Sequence, residues 1–476
     1  MTGNPGSGSD SGVESQEAEL VAELAAVEAF AGRPAPSFGQ LVGFGFGSVG
    51  MGVWVTVPGL LLLFYLTNVV GVNPFIAGLT LLLPKLLDIV LHPGFGSLSD
   101  RQLAKRGNRR GMMFFGLLLG IAMTAMFSVP TALVGTGAAL WVAVFYTLGN
   151  VSFASFQVPY ITTPSDLDVS YYQRTRVMTF RMFLLIVGLL AAGVAAPALV
   201  AGGTRAEYTQ MAISLGIVMF VTALVAIASI KSLKKFMTSE HPDANNAHLP
   251  LVSGVKFAWA DRNFRALVLS YLFTGATTHL FLAALPFFAE YVFHNTKVTA
   301  IFMGAFLGPA LIATPVWLQV SKRIGKQRGL LICQLVFALG ALSLLLGPTV
   351  GLGPTVVIVV VLGICFAGLQ LFAYSMVPDV ARAASPDGSK AGSYTGVWTA
   401  TEATGTAFGP YIYAAVLGLG GFVASTAGDN VTQTSSAQIA LLLGFTVVPA
   451  ILMVIALSFQ RRYQLGGVPD VGASTS

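Results

Sequence analysis

Apolar residues are gathered along the chain into long runs, and the length of those runs sets the first expectation. A bilayer core about 30 Å thick needs roughly 20 apolar residues per helix. Such runs predict spans over 41–66, 75–97, 112–131, 137–160, 178–201, 211–230, 266–291, 300–320, 329–349, 354–377, 393–420 and 437–458. Backbone inside lipid must satisfy its own hydrogen bonds, so these runs read as helices. The expected fold is all-α membrane, with twelve transmembrane helices. The longest gap divides them six and six. The predicted organisation is an acidic, disordered tail over 1–38, a first six-helix half over 39–230, a central loop over 231–265, a second half over 266–460 and a tail over 461–476. Leu251 to Phe264 is expected to form a helix on the membrane surface. Residues 14–31 read either as a short amphipathic helix or as nascent helix within the tail.

Composition supports this reading. Of 476 residues, 55% are hydrophobic and 10% are charged, against about 25% charged in a soluble domain. So little charge cannot cover a water-facing surface. The net charge of +6 does not indicate a nucleic-acid partner, because the cations fall in alternate loops. Arg101, Lys105, Arg106, Arg109 and Arg110 follow helix 2, and Lys322, Arg323, Lys326 and Arg328 follow helix 8. Similar groups follow helices 4, 6, 10 and 12, whereas the loops on the other side carry Arg205 and Lys297. Positive charge marks the cytoplasmic side, so both termini are expected there, in an inner or plasma membrane. No cleavable signal peptide is legible in residues 1–38. Cys333 and Cys365 both lie in apolar runs and give neither a disulfide framework nor a metal spacing. No nucleophile–base spacing or phosphate loop is present, so an enzyme is not expected.

The two halves echo each other. "GSLSDRQLAKRGNRR" follows helix 2, and "LQVSKRIGKQR" occupies the matching place after helix 8. A 6+6 duplication is the build of the major facilitator fold, with two pseudo-symmetric halves and a site near the midplane between them.

Ionisable groups at bilayer depth are costly and usually face a partner or a water-filled cavity. Helix 2 carries Lys85, Asp88 and His92 at offsets of three and four, which places them on one face. Pro84 and Pro93 bracket them and are expected to kink the helix. Helix 11 carries Glu402 near mid-membrane, with Trp398 one turn before it. Helix 7 carries His279, and helix 4 carries Asn150 and Gln157. Each could instead serve only to hold helices together. Three ionisables on one face of helix 2 fit that reading least well, because they need a common polar environment.

These same residues carry a family likeness. The chain resembles the glycoside–pentoside–hexuronide:cation symporters, the group of the melibiose permease, across about residues 40–465. "FGFGSVGMG" is similar to that family's YGxGD opening. "PKLLDIVLHPGFGSLSDR" is similar to its Arg-x-x-Asp-x-x-x-Asp-Pro core and Gly-x-x-x-Asp-Arg end, and "VPYITTPSDLDVSYYQRTRVMTFR" tracks the stretch after helix 4. "RNFRALVLSYL" and "MVPDVARAA" also fit. The resemblance implies that Asp88 is the first of two helix-2 carboxylates that bind the coupling cation. His92 stands in place of the second, and Lys85 in place of an arginine. A helix-1 aspartate that holds sugar falls at about Gly52, the helix-4 aspartate at Gln157 and the helix-11 lysine at about Ala403 beside Glu402. Arg181 matches an arginine that contacts sugar. The scaffold carries over further than the sugar site does.

The expectation drawn from both lines is a cation-coupled symporter of a sugar, glycoside or related small solute, acting as a monomer without cofactors. Protons are favoured over sodium, since sodium prefers hard oxygen ligands and imidazole supplies a nitrogen that titrates near neutrality. Asp88, His92 and Lys85 are the candidate coupling set. Gln157, Arg181, Glu402, His279 and Trp398 are the candidate substrate contacts. Asp100 and Arg101, with Asp166, Arg174 and Asp379, are the candidate cytoplasmic gate. Two rivals stay open: a uniporter or exporter of an amphipathic compound, and a membrane receptor or scaffold that transports nothing.

Overall fold

A computed structural model describes residues 35–106, 109–169, 171–233, 236, 251–384, 391–429 and 431–464. Most of the 1–38 tail, the middle of the central loop, Lys390, the end of the 461–476 tail and the side chain of Asp100 lie outside the described residues. The described residues are helical almost throughout. We label the membrane helices α1 (Phe38–Asn68), α2 (Pro74–Arg106), α3 (Arg110–Met126), α4 (Thr136–Thr162), α5 (Tyr171–Leu199), α6 (Arg205–Leu233), α7 (Arg262–Phe293), α8 (Val298–Ile324), α9 (Lys326–Val350), α10 (Leu352–Ala384), α11 (Ala391–Leu419) and α12 (Ser435–Gln460).

Local chemistry fixes the ends. Ser37 caps α1 and forms a reciprocal pair with Gln40, whose Oε1 accepts from the Ser37 amide at 2.9 Å. Asp261 caps α7 by accepting from the amides of Asn263 and Phe264. His294 closes the same helix in the left-handed region, at φ 51°.

Several ends differ from the spans predicted from apolarity. α2 runs nine residues past the predicted stop at 97, so Arg101, Lys105 and Arg106 are helical rather than in a loop. Arg174, Arg176 and Arg181 belong to α5 itself. Helices need not stop where lipid stops, because water solvates their last turns. α6 reaches Leu233 and α7 begins at Arg262, so both intrude on the predicted central loop. A helix forms there over Leu251–Ala260 and stops short of the predicted Phe264, which belongs to α7 after the Asp261 cap. α11 carries Gly, Ala and Thr along its length.

The packing repeats between the halves. α1 packs on α5 and α6, as α7 packs on α11 and α12. α4 packs on α2 and α3, as α10 packs on α8 and α9. The seam between the halves follows the same symmetry, with α2 against α11, α5 against α8, and α1 against α7. This is the major facilitator fold. α1 and α7 are the most enclosed helices, while Leu140, Ile312 and many other apolar side chains point outward, as lipid-facing helices require.

Close helix approach depends on glycine. A Cβ on Gly52 of α1 would sit 2.7 Å from the Leu189 amide nitrogen of α5, and one on Gly409 of α11 would sit 2.6 Å from the Ala276 carbonyl oxygen of α7. The two helix pairs are equivalent in the two halves, with the glycine on the opposite partner in each.

The seam is stitched on the face away from the basic loops. Val70 and Thr426 form an isolated antiparallel bridge. The Ser425 amide donates to the Thr67 carbonyl at 2.9 Å, and the Ala427 amide donates to the Val69 carbonyl at 3.1 Å. Asn68 Nδ2 donates to Tyr291 Oη at 2.8 Å, and Thr296 Oγ1 donates to the Ala201 carbonyl at 2.6 Å. Asp429 shapes the α11–α12 loop by accepting from the hydroxyl and amide of Thr426, and those bonds hold its carboxyl below the usual range.

Candidate functional site

A cavity of about 400 Å³ opens between α1, α2 and α4 of the first half and α7 and α11 of the second. Its α11 wall runs from Pro410 to Gly396, roughly 20 Å at 1.5 Å per residue, toward the basic face. The volume lies within the ~300–1,000 Å³ usual for small-molecule sites.

α2 supplies the charged wall. It bends by 46° between Pro74–Ile89 and Gly94–Leu103, the stretch that holds Pro93 in the sequence. Just before the bend, Lys85 Nζ lies 3.1 Å from Asp88 Oδ2. Asp88 is 4% exposed, and its Oδ1 has no partner among the described residues. The Lys85 ammonium also sits 5.7 Å from the centre of the Tyr146 ring on α4. One turn on, His92 Nδ1 lies 2.8 Å from the Asp88 carbonyl and Nε2 lies 3.1 Å from Gln157 Oε1. A carbonyl only accepts, so Nδ1 carries a proton. Nε2 then donates to Gln157 as imidazolium, or accepts from the same amide rotated by half a turn. Gln157 thus serves either charge state of the ring.

The opposite wall carries the second carboxyl. Glu402 accepts a hydrogen bond from Tyr374 of α10. His279 Nδ1 donates to the Gly275 carbonyl at 2.9 Å, and its Nε2 lies 3.3 Å from Thr406 Oγ1, which ties α7 to α11. Between these groups α11 presents Gly396, Thr399, Ala400, Ala403 and Ala407, so this wall is mostly small, whereas the first half adds Trp54, Tyr146 and Phe153.

Lys85, Asp88, His92, Gln157, His279 and Glu402 therefore line one cavity. Two other candidate contacts do not line it. Arg181 is buried on α5 with its guanidinium 5.6 Å from the Tyr160 ring centre. Trp398 stacks on Tyr271 at 4.1 Å and backs the wall that carries Glu402. Tyr146, Phe153 and Trp54 were not anticipated. Tyr146 and Phe153 precede Gln157 by eleven and four residues, which is helical spacing on one face, so the signal was present.

Among the described gate side chains, Asp166 and Asp379 pair within their own halves in this conformation. Asp166 accepts from Arg109 Nε at 2.7 Å, and Arg109 also donates to Ser99 Oγ at 2.9 Å. Lys326 and Asp379 pair at 2.7 Å at the matching place in the second half. Each pair closes within its own half. Arg174 donates to the Leu167 carbonyl at 3.0 Å, and Arg101 is exposed.

Comparison with known proteins decides the family. A family model described as MFS/sugar transport protein matches residues 43–467. The chain belongs to this family. It is a secondary transporter with several membrane spans, and its relatives are transporters rather than enzymes. The isoprimeverose transporter of Lactiplantibacillus pentosus is 24% identical over 420 residues, which cover 84% of each chain. An uncharacterized symporter of Bacillus subtilis, YjmB, is 23% identical over 299 residues, 61% of this chain and 63% of that one; the match thus spans less than two thirds of that relative. Mouse sodium-dependent lysophosphatidylcholine symporter 1 is 23% identical over 357 residues, 68% of this chain and 66% of that one. The crystal structure of the nucleoside transporter NupG superposes with a TM-score of 0.62 at 13% identity, covering 90% of this chain and 100% of that one. That likeness concerns the fold. The resemblance to glycoside–pentoside–hexuronide:cation symporters read in the sequence agrees with the family match and with the isoprimeverose transporter.

The missing helix-1 carboxylate now has a physical account. At Gly52 the backbone of α1 lies against α5, so an aspartate there would point into α5 rather than into the cavity. The cavity face of α1 is Trp54, Val55 and Gly59.

Proposed function

We propose that this transporter is a proton-coupled symporter of a sugar, glycoside or related small organic solute, working by alternating access as a monomer in the inner or plasma membrane with both termini cytoplasmic. The observation that carries the reading is the shared cavity. The Lys85–Asp88 pair and the His92–Gln157 bond face it from one half, and Glu402 faces it from the other. A proton that binds Asp88 breaks its pairing with Lys85, and one that leaves restores it. The pair thus changes charge in step with which side the cavity faces. Because one helix-2 carboxylate is replaced by His92, and Lys85 already supplies a cation beside Asp88, the wall offers sodium few hard oxygens. Polar hydroxyls of a sugar would meet Glu402, Gln157, His279 and Lys85, with an aromatic face against Trp54 or Phe153.

The stitched face and the cavity running toward the basic face suit a state that opens to the cytoplasm. In the opposite state, Asp100, Arg101, Asp166, Arg174 and Asp379 would close the basic ends of the halves together.

A second reading is favoured by one observation: much of the cavity wall is apolar, with Trp54, Val55, Leu81, Ile89 and Phe153 on the first half. An amphipathic solute would fit it, and one relative bears the name of a lysophosphatidylcholine symporter.

Purified protein in proteoliposomes tests both readings. Under an imposed pH gradient, accumulation of a glycoside above its equilibrium level supports the proposal. Accumulation under a sodium gradient alone overturns the proton assignment, and uptake of a lysolipid but no sugar overturns the substrate assignment. Tags at the N-terminus, within 231–265 and at the C-terminus should be protected in intact cells, and labelling of any of them from outside sinks the orientation.

A further inference from the structure

A second hollow, of about 290 Å³, lies away from the transport cavity where α7 begins and α12 ends. Arg262, Arg265 and Arg462 surround it, and Ala266, Leu269 and Phe459 form the rest of its wall. All three arginines are exposed. The nearest carboxylate in sequence, Asp261, is already engaged: one oxygen caps α7 and the other accepts from Tyr394 at 3.1 Å. Arg462 lies over the Phe459 ring at 5.5 Å, and Phe459 stacks in turn on Phe273 at 5.9 Å. The hollow thus has a cationic rim and a braced apolar base.

Its position narrows what can fill it. Both helix ends lie on the basic face, where the membrane meets water. Deeper along α12, exposed Val454 and Ile451 offer an apolar surface to the bilayer. A soluble anion would use only the rim. A ligand that carries a phosphate and an apolar tail would use the rim, the base and that surface together. Guanidinium groups match phosphate oxygens through paired N–H donors, which an ammonium group cannot do.

We infer that this hollow is a binding site for the headgroup of an anionic phospholipid, whose phosphate sits among Arg262, Arg265 and Arg462 while its chains follow Leu269, Phe459 and the apolar surface of α12. The site joins α7, which carries His279 on the cavity, to α12, so the bound lipid braces the second half. The inference does not depend on which solute is transported.

The test uses the full-length protein in nanodiscs of neutral phosphatidylcholine with or without phosphatidylglycerol. Lipid retained after mild extraction is read by native mass spectrometry, and unfolding temperature is read in parallel. Wild type should retain phosphatidylglycerol in preference to phosphatidylcholine and unfold at a higher temperature when it is present. Each arginine changed, as in Arg265→Gln or Arg462→Gln, should lower that preference about fivefold, the ratio that ~1 kcal/mol per cation near an anionic surface gives. Arg265→Lys with Arg462→Lys keeps the loop charge that sets topology. It should still lose part of the preference, because the paired donors are gone. Equal retention of both lipids by wild type, or retention unchanged in the glutamine variants, overturns the inference. Displacement of the lipid by millimolar glycerol phosphate or inorganic phosphate also overturns it, by making the site one for a free phosphate. A loss of stability in the variants that is the same without phosphatidylglycerol assigns the arginines to contacts within the chain and overturns it as well.

Discussion

The two halves of this transporter share one packing plan and differ in where they keep their charge. In the first half the Arg109–Asp166 pair is nearly enclosed, with side chains 9% and 13% exposed; in the second the equivalent Lys326–Asp379 pair is 43% and 47% exposed. The cavity walls differ in the same sense, since the first half presents Lys85, Asp88 and His92 beside bulky aromatics, and the second presents small residues and Glu402 on α11 and His279 on α7. Duplication conserves how helices pack, while the polar groups placed on that packing diverge.

The sharpest way to break this comparison is at Asp88. Asp88→Asn should reduce accumulation to the equilibrium ratio while exchange of substrate across the membrane continues, as counterflow in proteoliposomes would show. The variant also leaves Lys85 without its anion, at a cost on the order of a few kcal/mol if the pair is dry, so its extracted yield must be compared with wild type. Concentrative uptake by a folded Asp88→Asn protein would move the coupling role to Glu402.

Next in size is Asp166→Ala, which removes the carboxylate paired with Arg109 in an enclosed place and should destabilise the protein by about 3 kcal/mol, as expected for breaking a buried pair. Thermal unfolding in detergent measures it. Glu402→Gln, by contrast, keeps the shape of its wall and a bond to Tyr374. It should weaken apparent substrate affinity severalfold without loss of folded protein, and unchanged uptake kinetics would show that the second half contributes shape alone. The smallest effect is expected for Asp379→Ala. Its exposed pair should contribute less than about 1 kcal/mol, and salt should erase the difference from wild type. Equal costs for Asp166→Ala and Asp379→Ala would remove the contrast between the halves.

How far the sequence foretells this molecule depends on the range of the forces involved. Helix number and the six-plus-six division follow from lipid, which acts on every residue of a run and leaves a plain record in apolarity. The grouping of Lys85, Asp88 and His92 is equally local, since helical spacing alone puts them on one side. Matters stop being legible where a residue must choose between two neighbouring helices. Arg181 and Trp398 have the chemistry of substrate contacts, but they turn toward Tyr160 and Tyr271, and nothing in their own helices specifies that direction. Asp166 finds Arg109, a residue 57 positions away, because α2, α3 and α4 converge there, and no local spacing encodes that meeting. Gly52 shows the reverse case, where a missing side chain records a close approach that only the folded packing explains.

The seal between the halves on the face away from the basic loops has a bearing on descent. Its bridge at Val70 and Thr426, and the bonds from Ser425 to Thr67 and from Ala427 to Val69, join main chain to main chain. Every residue except proline brings the same amide, so substitution can wander through these loops without unpicking the closure. A cavity wall made of side chains is rewritten by each exchange. Closure through main-chain bonds of this kind depends less on side-chain identity than the cavity wall does.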